Sequence, residues 1–395
     1  MTTTSRAGGS AGDPFALLPT EATPLARQIA ERIRAEGPIT FASFMEAALY
    51  DPTLGYYRSG RTTVGREGDF LTSPEVHPLF SYAVALLAAA LWEAMGRPER
   101  FRLRDVGAGT GRLMADVLAW AGARRPAFAA ALRGEVVERS AAAGTRRQPL
   151  LAPHRGGLTW RASLDVCEPL DGLVVANELL DAQPVHRLRW NGSGWGELYV
   201  DIAAEGRFVD VAGEISDAAL LGPLKGLSPS EGQVVEVCPS LPGLVAQLAR
   251  SVRSGVLLLF DYGYPRQRLY AGWRKQGTLL TFHRHRPGDD PFVRVGEQDL
   301  SCHVDVDTVR AAAEGAGLRP YATRSQAEFL SATGAASTPP ATEGGQGAEM
   351  EAYLSRRRGV ETLTDPGGLG RIQVMAFARS VEVELPGLGR SAERE

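Results

Sequence analysis

With 395 residues, 44% of them hydrophobic and 23% charged, the chain carries enough apolar material for one large domain with insertions or two ordinary ones. Its 43 basic and 46 acidic residues give a formal net charge of −3, without the basic excess through which phosphate neutralisation binds nucleic acid, so no nucleic-acid partner is expected. Three scattered cysteines, Cys167, Cys238 and Cys302, argue against a disulfide framework, and no apolar run approaches the ~20 residues that span a bilayer.

The N-terminus, MTTTSRAGGSAGDPF, has no apolar core of a secretory signal. Residues 1–20 read as a disordered tail, and with reduced thiols the expectation is a cytoplasmic protein without membrane insertion. Thr23-Pro24 opens a helix with Leu25, Ile29 and Ile33 on one face. Thr40 opens a second, with Phe41, Phe44, Met45 and Leu49 inward, ending at Asp51-Pro52. The loop LGYYRSGRTTVGREGDFLTSPE follows without periodicity, at a length that marks lids and binding segments. A helix over 78–95 completes an N-terminal helical segment, 21–100.

From residue 101 strands and helices alternate, as in an α/β core with a parallel sheet. FRLRDVG (101–107), GEVVERS (134–140) and LDGLVVANE (170–178) are its strands, assigning 101–184 to the core. Short alternating runs between Gly, Asn and Ser turns make 185–238 an antiparallel insertion. The core resumes over 239–263 with strand GVLLLFDYG (255–263), leaves it for a polar, His-rich excursion at 264–304, and returns over 305–380. Within that last part the Ser/Thr/Pro/Gly-rich segment 331–349 reads as mobile, and 381–395 as a tail.

Asp105-Val106-Gly107-Ala108-Gly109-Thr110-Gly111 follows a strand and opens a helix, the context in which a glycine loop binds a nucleotide. A dinucleotide site wants its third glycine at 112, where Arg112 stands; Gly111 and the preceding acid Asp105 suit S-adenosylmethionine, whose ammonium group a carboxylate can meet. Glu138, at the end of the next strand, is placed to hold ribose hydroxyls, and Asp165 to meet adenine. A structural turn and solvated strand-end acids are the plainer alternatives. Asn177, Glu178 and Asp181 follow the strand GLVVA at the carboxyl rim where open α/β sheets bind ligands. Two acids there suit a guanidinium, whose planar fork matches carboxylates, or decorate a helix start. Asp261-Tyr262-Gly263 reaches the same rim, as pocket or turn. His283, His285 and His303, near Asp299 and Asp305, are interleaved with arginines, so no metal is expected.

The motifs ITFASFMEAALYDPTLGYY, GDFLTSPEVHPLF, DVGAGTGRL, ANELLDAQPV, LFDYGYP, GTLLTFHRHR and VGEQDLSCHVDV together resemble the MidA-type methyltransferase family over about residues 22–380. The resemblance implies a class I seven-strand Rossmann-like methyltransferase with an N-terminal helical segment and an inserted antiparallel β subdomain. It implies S-adenosylmethionine as donor, S-adenosylhomocysteine as product, and a protein acceptor: mitochondrial members include the respiratory complex I assembly factor that dimethylates an arginine. Gly68, Asp69, Phe70, Thr72, Ser73, Pro74 and Glu75 match the family's loop over the donor, with Thr72, Ser73 and Pro74 assigned to donor binding. Where the family often has glutamate stands Asp105, and Leu179-Leu180 replace a bulkier aromatic pair beside the acceptor pocket. Methylation of a small molecule and a non-catalytic assembly chaperone remain competing readings, and a homodimer is left open.

Overall fold

Seven strands make the central sheet: β1 (Phe101–Val106), β2 (Leu132–Val137), β3 (Leu158–Arg161), β4 (Leu170–Asn177), β5 (Val252–Asp261), β6 (Arg319–Ser325) and β7 (Gln373–Arg379). Their order across the sheet is β6-β7-β5-β4-β1-β2-β3. All pair in parallel except β7, which runs antiparallel between β5 and β6. The computed structural model describes residues 22–58, 69, 71–139, 149–337 and 346–389; the expected tail 1–20, and Gly68 and Phe70 of the loop motif, lie outside the described residues.

The middle strands are apolar on both faces because helices cover both. Leu173 and Val175 of β4 pack with α4 (Leu79–Ala94) and α5 (Arg112–Arg124), while Val174 and Ala176 face α6 (Leu241–Arg250) and α7 (Val306–Gly315). Beneath β1 and β2, the fully buried Arg104 is paired with Glu135 at 2.7 Å and donates to Glu168 O at 2.7 Å.

The N-terminal helices are α1 (Pro24–Glu36), capped by Thr23 Oγ1 accepting Ala26 N–H at 3.1 Å, and α2 (Phe41–Tyr50), capped by Thr40. Their apolar faces rest on a second, five-stranded sheet. Four of its strands, His186–Trp190, Trp195–Ile202, Phe208–Gly213 and Val234–Val237, lie in the insertion, and the fifth is Ile39–Thr40, paired antiparallel with Tyr199 and Val200. Phe44 meets Phe208 edge-on at 5.6 Å. The excursion at 264–304 carries a small sheet in which Leu280–His283 pairs with Arg286–Gly288 and Asp299–Ser301.

Two expectations fail in the C-terminal part. Helices α8 (Gln326–Thr333) and α9 (Gln346–Leu363) take up the two ends of the segment read as mobile, 331–333 and 346–349, and 338–345 lie outside the described residues. A reciprocal Ser325–Glu328 capping box starts α8 and Phe329 anchors it, which outweighs the polar composition around it. The expected tail is packed as far as 389, with Val381, Leu385 and Leu388 buried and Tyr321 Oη donating to Gly389 O at 3.1 Å.

Candidate active site

Chain connections diverge to opposite sides at β1 and β4, and a cleft of about 520 Å³ opens at their carboxyl ends, where open α/β sheets bind ligands. The glycine loop forms one wall. Gly107, Gly109 and Gly111 have φ of 73°, 52° and 78°, a left-handed backbone that only glycine adopts at no cost. A Cβ on Gly107 would come within 2.9 Å of Leu179 Cδ1, whereas one on Gly109 would meet no protein atom within 4 Å. Glu138 Oε2 accepts the Gly109 N–H at 3.0 Å, and Thr110 donates its hydroxyl to Glu75. Asp105 is buried in the floor; Asp165, accepting from Ser163 Oγ at 2.8 Å, lines the far end with Leu164.

Thr72, Pro74 and Glu75 line the opposite side around the short helix α3 (Ser73–Val76). Ser73 departs from the expectation. Its hydroxyl is fully buried and donates to Gln326 Oε1 at 2.8 Å, at the first residue of α8; its backbone N–H donates to the cleft wall.

That N–H donates to Glu178 Oε1 at 3.3 Å, and Asn177 Nδ2 donates to the same oxygen at 3.0 Å. Asn177 Oδ1 is buried without a hydrogen-bond partner. Glu178 stands at φ 49°, a strained conformation for a non-glycine residue, fixed by its N–H to Phe260 O at 2.8 Å. Burial, with Asp181 nearby, pushes its carboxyl up to about 8. Asp261 accepts the N–H groups of Leu179, Leu180 and Asp181 at 2.8–3.2 Å, tying β5 to the turn after β4, and burial lifts it to about 7. Asp181 is raised well above the ordinary range by burial and by Asp261. Contrary to the expectation that it shares the cleft with Glu178, it lines a neighbouring cavity of about 250 Å³ together with Leu180, since the turn carries these two residues away from Asn177, Glu178 and Leu179 in the cleft wall.

Sequence reasoning missed the roof of the cleft. Tyr50 and Tyr57 line it as a stacked pair 5.6 Å apart; Tyr50 Oη donates to Ala182 O at 2.9 Å and Tyr57 Oη to Asp299 Oδ1 at 2.8 Å. Asp299, weighed only as a metal ligand, is a buried carboxyl raised to about 6 by burial. The histidines are dispersed: His283 Nδ1 meets Glu297 O at 3.1 Å, His285 gives its N–H to Asp69 O, and His303 stands between Tyr262 and Tyr264.

A family profile described as S-adenosyl-L-methionine-dependent methyltransferase matches residues 83–323. The chain belongs to that family. Among similar proteins of this methyltransferase, one from Drosophila melanogaster named "Protein arginine methyltransferase NDUFAF7 homolog, mitochondrial" is 31% identical over 320 residues, covering 74% of this chain and 70% of its own. The Mus musculus protein arginine methyltransferase NDUFAF7 is 28% identical over 326 residues, covering 75% and 71%. A crystal structure from Burkholderia thailandensis bound to S-adenosyl-homocysteine superposes with a TM-score of 0.84 at 30% identity, covering 94% of this chain and 97% of that one. The methyltransferase therefore has the class I fold and S-adenosylmethionine as its donor. The cytoplasmic expectation is overturned, because these relatives are named as mitochondrial proteins. It rested on the lack of a secretory signal, which says nothing of other addresses.

Proposed function

We propose that this methyltransferase transfers the methyl group to a guanidinium nitrogen of a protein arginine. The observation that carries the reading is Glu178, a carboxylate held in a strained turn by Ser73 N–H and Asn177 Nδ2 at the cleft wall. The naming of the relatives as protein arginine methyltransferases supports it.

The residues present fit the donor: a left-handed glycine loop with open cleft in front of Gly109, acids at Asp105, Glu138 and Asp165, and Thr72 and Pro74 opposite. In this reading Asp105 meets the ammonium end, Glu138 the ribose hydroxyls and Asp165 the adenine side. When bound, the donor supplies an electrophilic methyl group on a sulfonium.

The chain's own work is to place and deprotonate a nitrogen. Asn177 Oδ1 accepts one guanidinium N–H, and Glu178 takes the proton that the nitrogen sheds as the N–C bond forms and the S–C bond breaks, the electron pair staying on sulfur. A base with a pKa near 8 is matched to work close to neutrality. Positioning nitrogen, methyl carbon and sulfur in line supplies much of the rate. Asp261, by accepting the N–H groups of Leu179, Leu180 and Asp181, holds the turn that presents Glu178 to the cleft. The N-terminal helices and the inserted sheet, joined through Ile39–Thr40, flank the acceptor side in this reading, with Tyr50 and Tyr57 at the cleft.

The test is labelled S-adenosylmethionine added to an extract of cells lacking this protein. Label recovered as methylarginine from a discrete protein band is expected. Label on lysine, or only in the small-molecule fraction, would overturn the reading.

A further inference from the structure

The rim beside Glu178 carries a row of rings and guanidiniums that the transfer chemistry leaves unused. Glu178 gives its N–H to Phe260 O, and Tyr262 follows two residues later, at the end of the neighbouring strand. The Tyr262 ring lies nearly parallel to the His303 imidazole, 16° between planes and 6.1 Å between centroids. Tyr264 meets the same imidazole at 5.2 Å. Arg371 lies over Tyr262 at 5.5 Å, and Arg268 and Arg274 over Tyr264 at 4.7 and 5.1 Å. Arg274 also reaches Trp273, which is 70% exposed.

A guanidinium stacked on a ring gives its face to the π cloud and keeps its N–H donors in plane for a carboxylate. Yet among the described residues Arg268, Arg274 and Arg371 make no ion pair, although Arg266 beside them is bonded to Asp305 at 2.9 Å. Three neighbouring cations thus stand without a carboxylate partner among the described residues. His303 is a spacer in this row, not a fourth cation: burial, with Arg371 and Arg274 close by, lowers it to about 4.

We propose that this row, from Arg371 across Tyr262, His303 and Tyr264 to Arg268 and Arg274, is the docking track of the acceptor polypeptide and selects a segment with acidic residues beside the methylated cation. The inference rests on the protein-acceptor reading above. Glu178 and the unpartnered Asn177 Oδ1 receive a guanidinium, and the adjoining row attracts anions. A segment of mixed sign satisfies both, and a uniformly basic one only the first. Rings and arginines also suit stacked nucleobases, but the net charge of −3 and the absence of a basic excess disfavour a phosphate backbone.

The test uses fluorescein-labelled peptides with one arginine flanked by aspartates, serines or lysines. Each is titrated into the full chain saturated with S-adenosylhomocysteine and followed by fluorescence anisotropy. The aspartate-flanked peptide is expected to bind about tenfold more tightly than the serine-flanked one, from two or three rim charge pairs. The double variant Arg268→Glu, Arg371→Glu, altered only at exposed side chains, should bind S-adenosylhomocysteine as before and prefer the lysine-flanked peptide. Equal binding of the three peptides by the unaltered chain, or tighter binding of labelled oligouridine, would overturn the proposal. Anisotropy needs no turnover. Binding of the aspartate-flanked peptide without its methylation would therefore overturn the arginine-acceptor reading and leave the track standing; methylation without flank preference would do the reverse.

Discussion

The Asp69 carboxylate accepts the backbone N–H of Arg284 at 2.7 Å, joining two segments 215 residues apart. Asp69 O also accepts the His285 N–H at 2.7 Å, and Tyr56 Oη donates to the second carboxylate oxygen at 3.1 Å. Arg284 and His285, at φ 49° and 60°, form a two-residue hairpin turn of the kind that normally calls for Asn-Gly. One aspartate thus holds a turn with unfavourable side chains and ties it, through Tyr56, to the N-terminal segment.

Asp69→Ala should lower stability by about 1–3 kcal/mol through the lost charged hydrogen bonds. Adding Arg284→Gly should restore part of it, since glycine adopts the turn without strain. Urea unfolding of the four chains of this double-mutant cycle checks the claim; additive effects would show that Asp69 and the turn are uncoupled.

Gly109→Val should cut affinity for S-adenosylhomocysteine at least about tenfold, because a β-branched residue resists positive φ. No protein atom lies within 4 Å of the added Cβ, so the loss of stability should be limited to the backbone strain at φ 52°, about 1–2 kcal/mol. Calorimetric titration beside a thermal melt separates the two effects, and unaltered affinity would remove Gly109 from the donor site.

Glu178, Asp261 and Asp299 titrate near 8, 7 and 6 in the folded chain, above their ordinary values. Between about pH 4 and those values the folded state keeps protons that the unfolded state has lost. Their stabilisation is complete below about pH 4 and fades as pH rises through 6 to 8. The melting temperature should accordingly fall between pH 5 and 8, and Glu178→Gln should flatten the upper part of that fall. A rise over this range would contradict the assignment.

Glu135→Ala should cost about 3–5 kcal/mol, since it strands the fully buried Arg104 guanidinium under β1. Denaturant unfolding measures it. A loss below about 1 kcal/mol would show that Arg104 finds other partners, beyond Glu168 O.

The glycine loop and the apolar strands were legible because their signals are contiguous: a turn chemistry at 105–111, and unbroken runs such as LVVA at the sheet centre. Asn177 and Glu178 followed from standing after such a strand. What stayed hidden is carried by contacts between distant segments. Nothing near Tyr57 announces Asp299, 242 residues away, and nothing near Ile39 announces its pairing with Val200. Side-chain direction was equally opaque: Ser73 and Asp181 sit in the expected segments yet point to Gln326 and to the neighbouring cavity. The packing of Val381, Leu385 and Leu388 escaped notice because sparse apolar residues in a Gly/Pro-rich stretch leave no periodicity.

The central claim, that Glu178 acts on the acceptor and not on the donor, is tested most directly by Glu178→Gln. S-adenosylhomocysteine affinity and the rate of labelled methyl transfer to protein are measured on the same preparation. The account predicts affinity within about twofold of the unaltered chain and transfer slower by about 10²–10⁴-fold, the scale of a lost general base. Affinity and transfer falling together, or transfer proceeding at full rate, would contradict it.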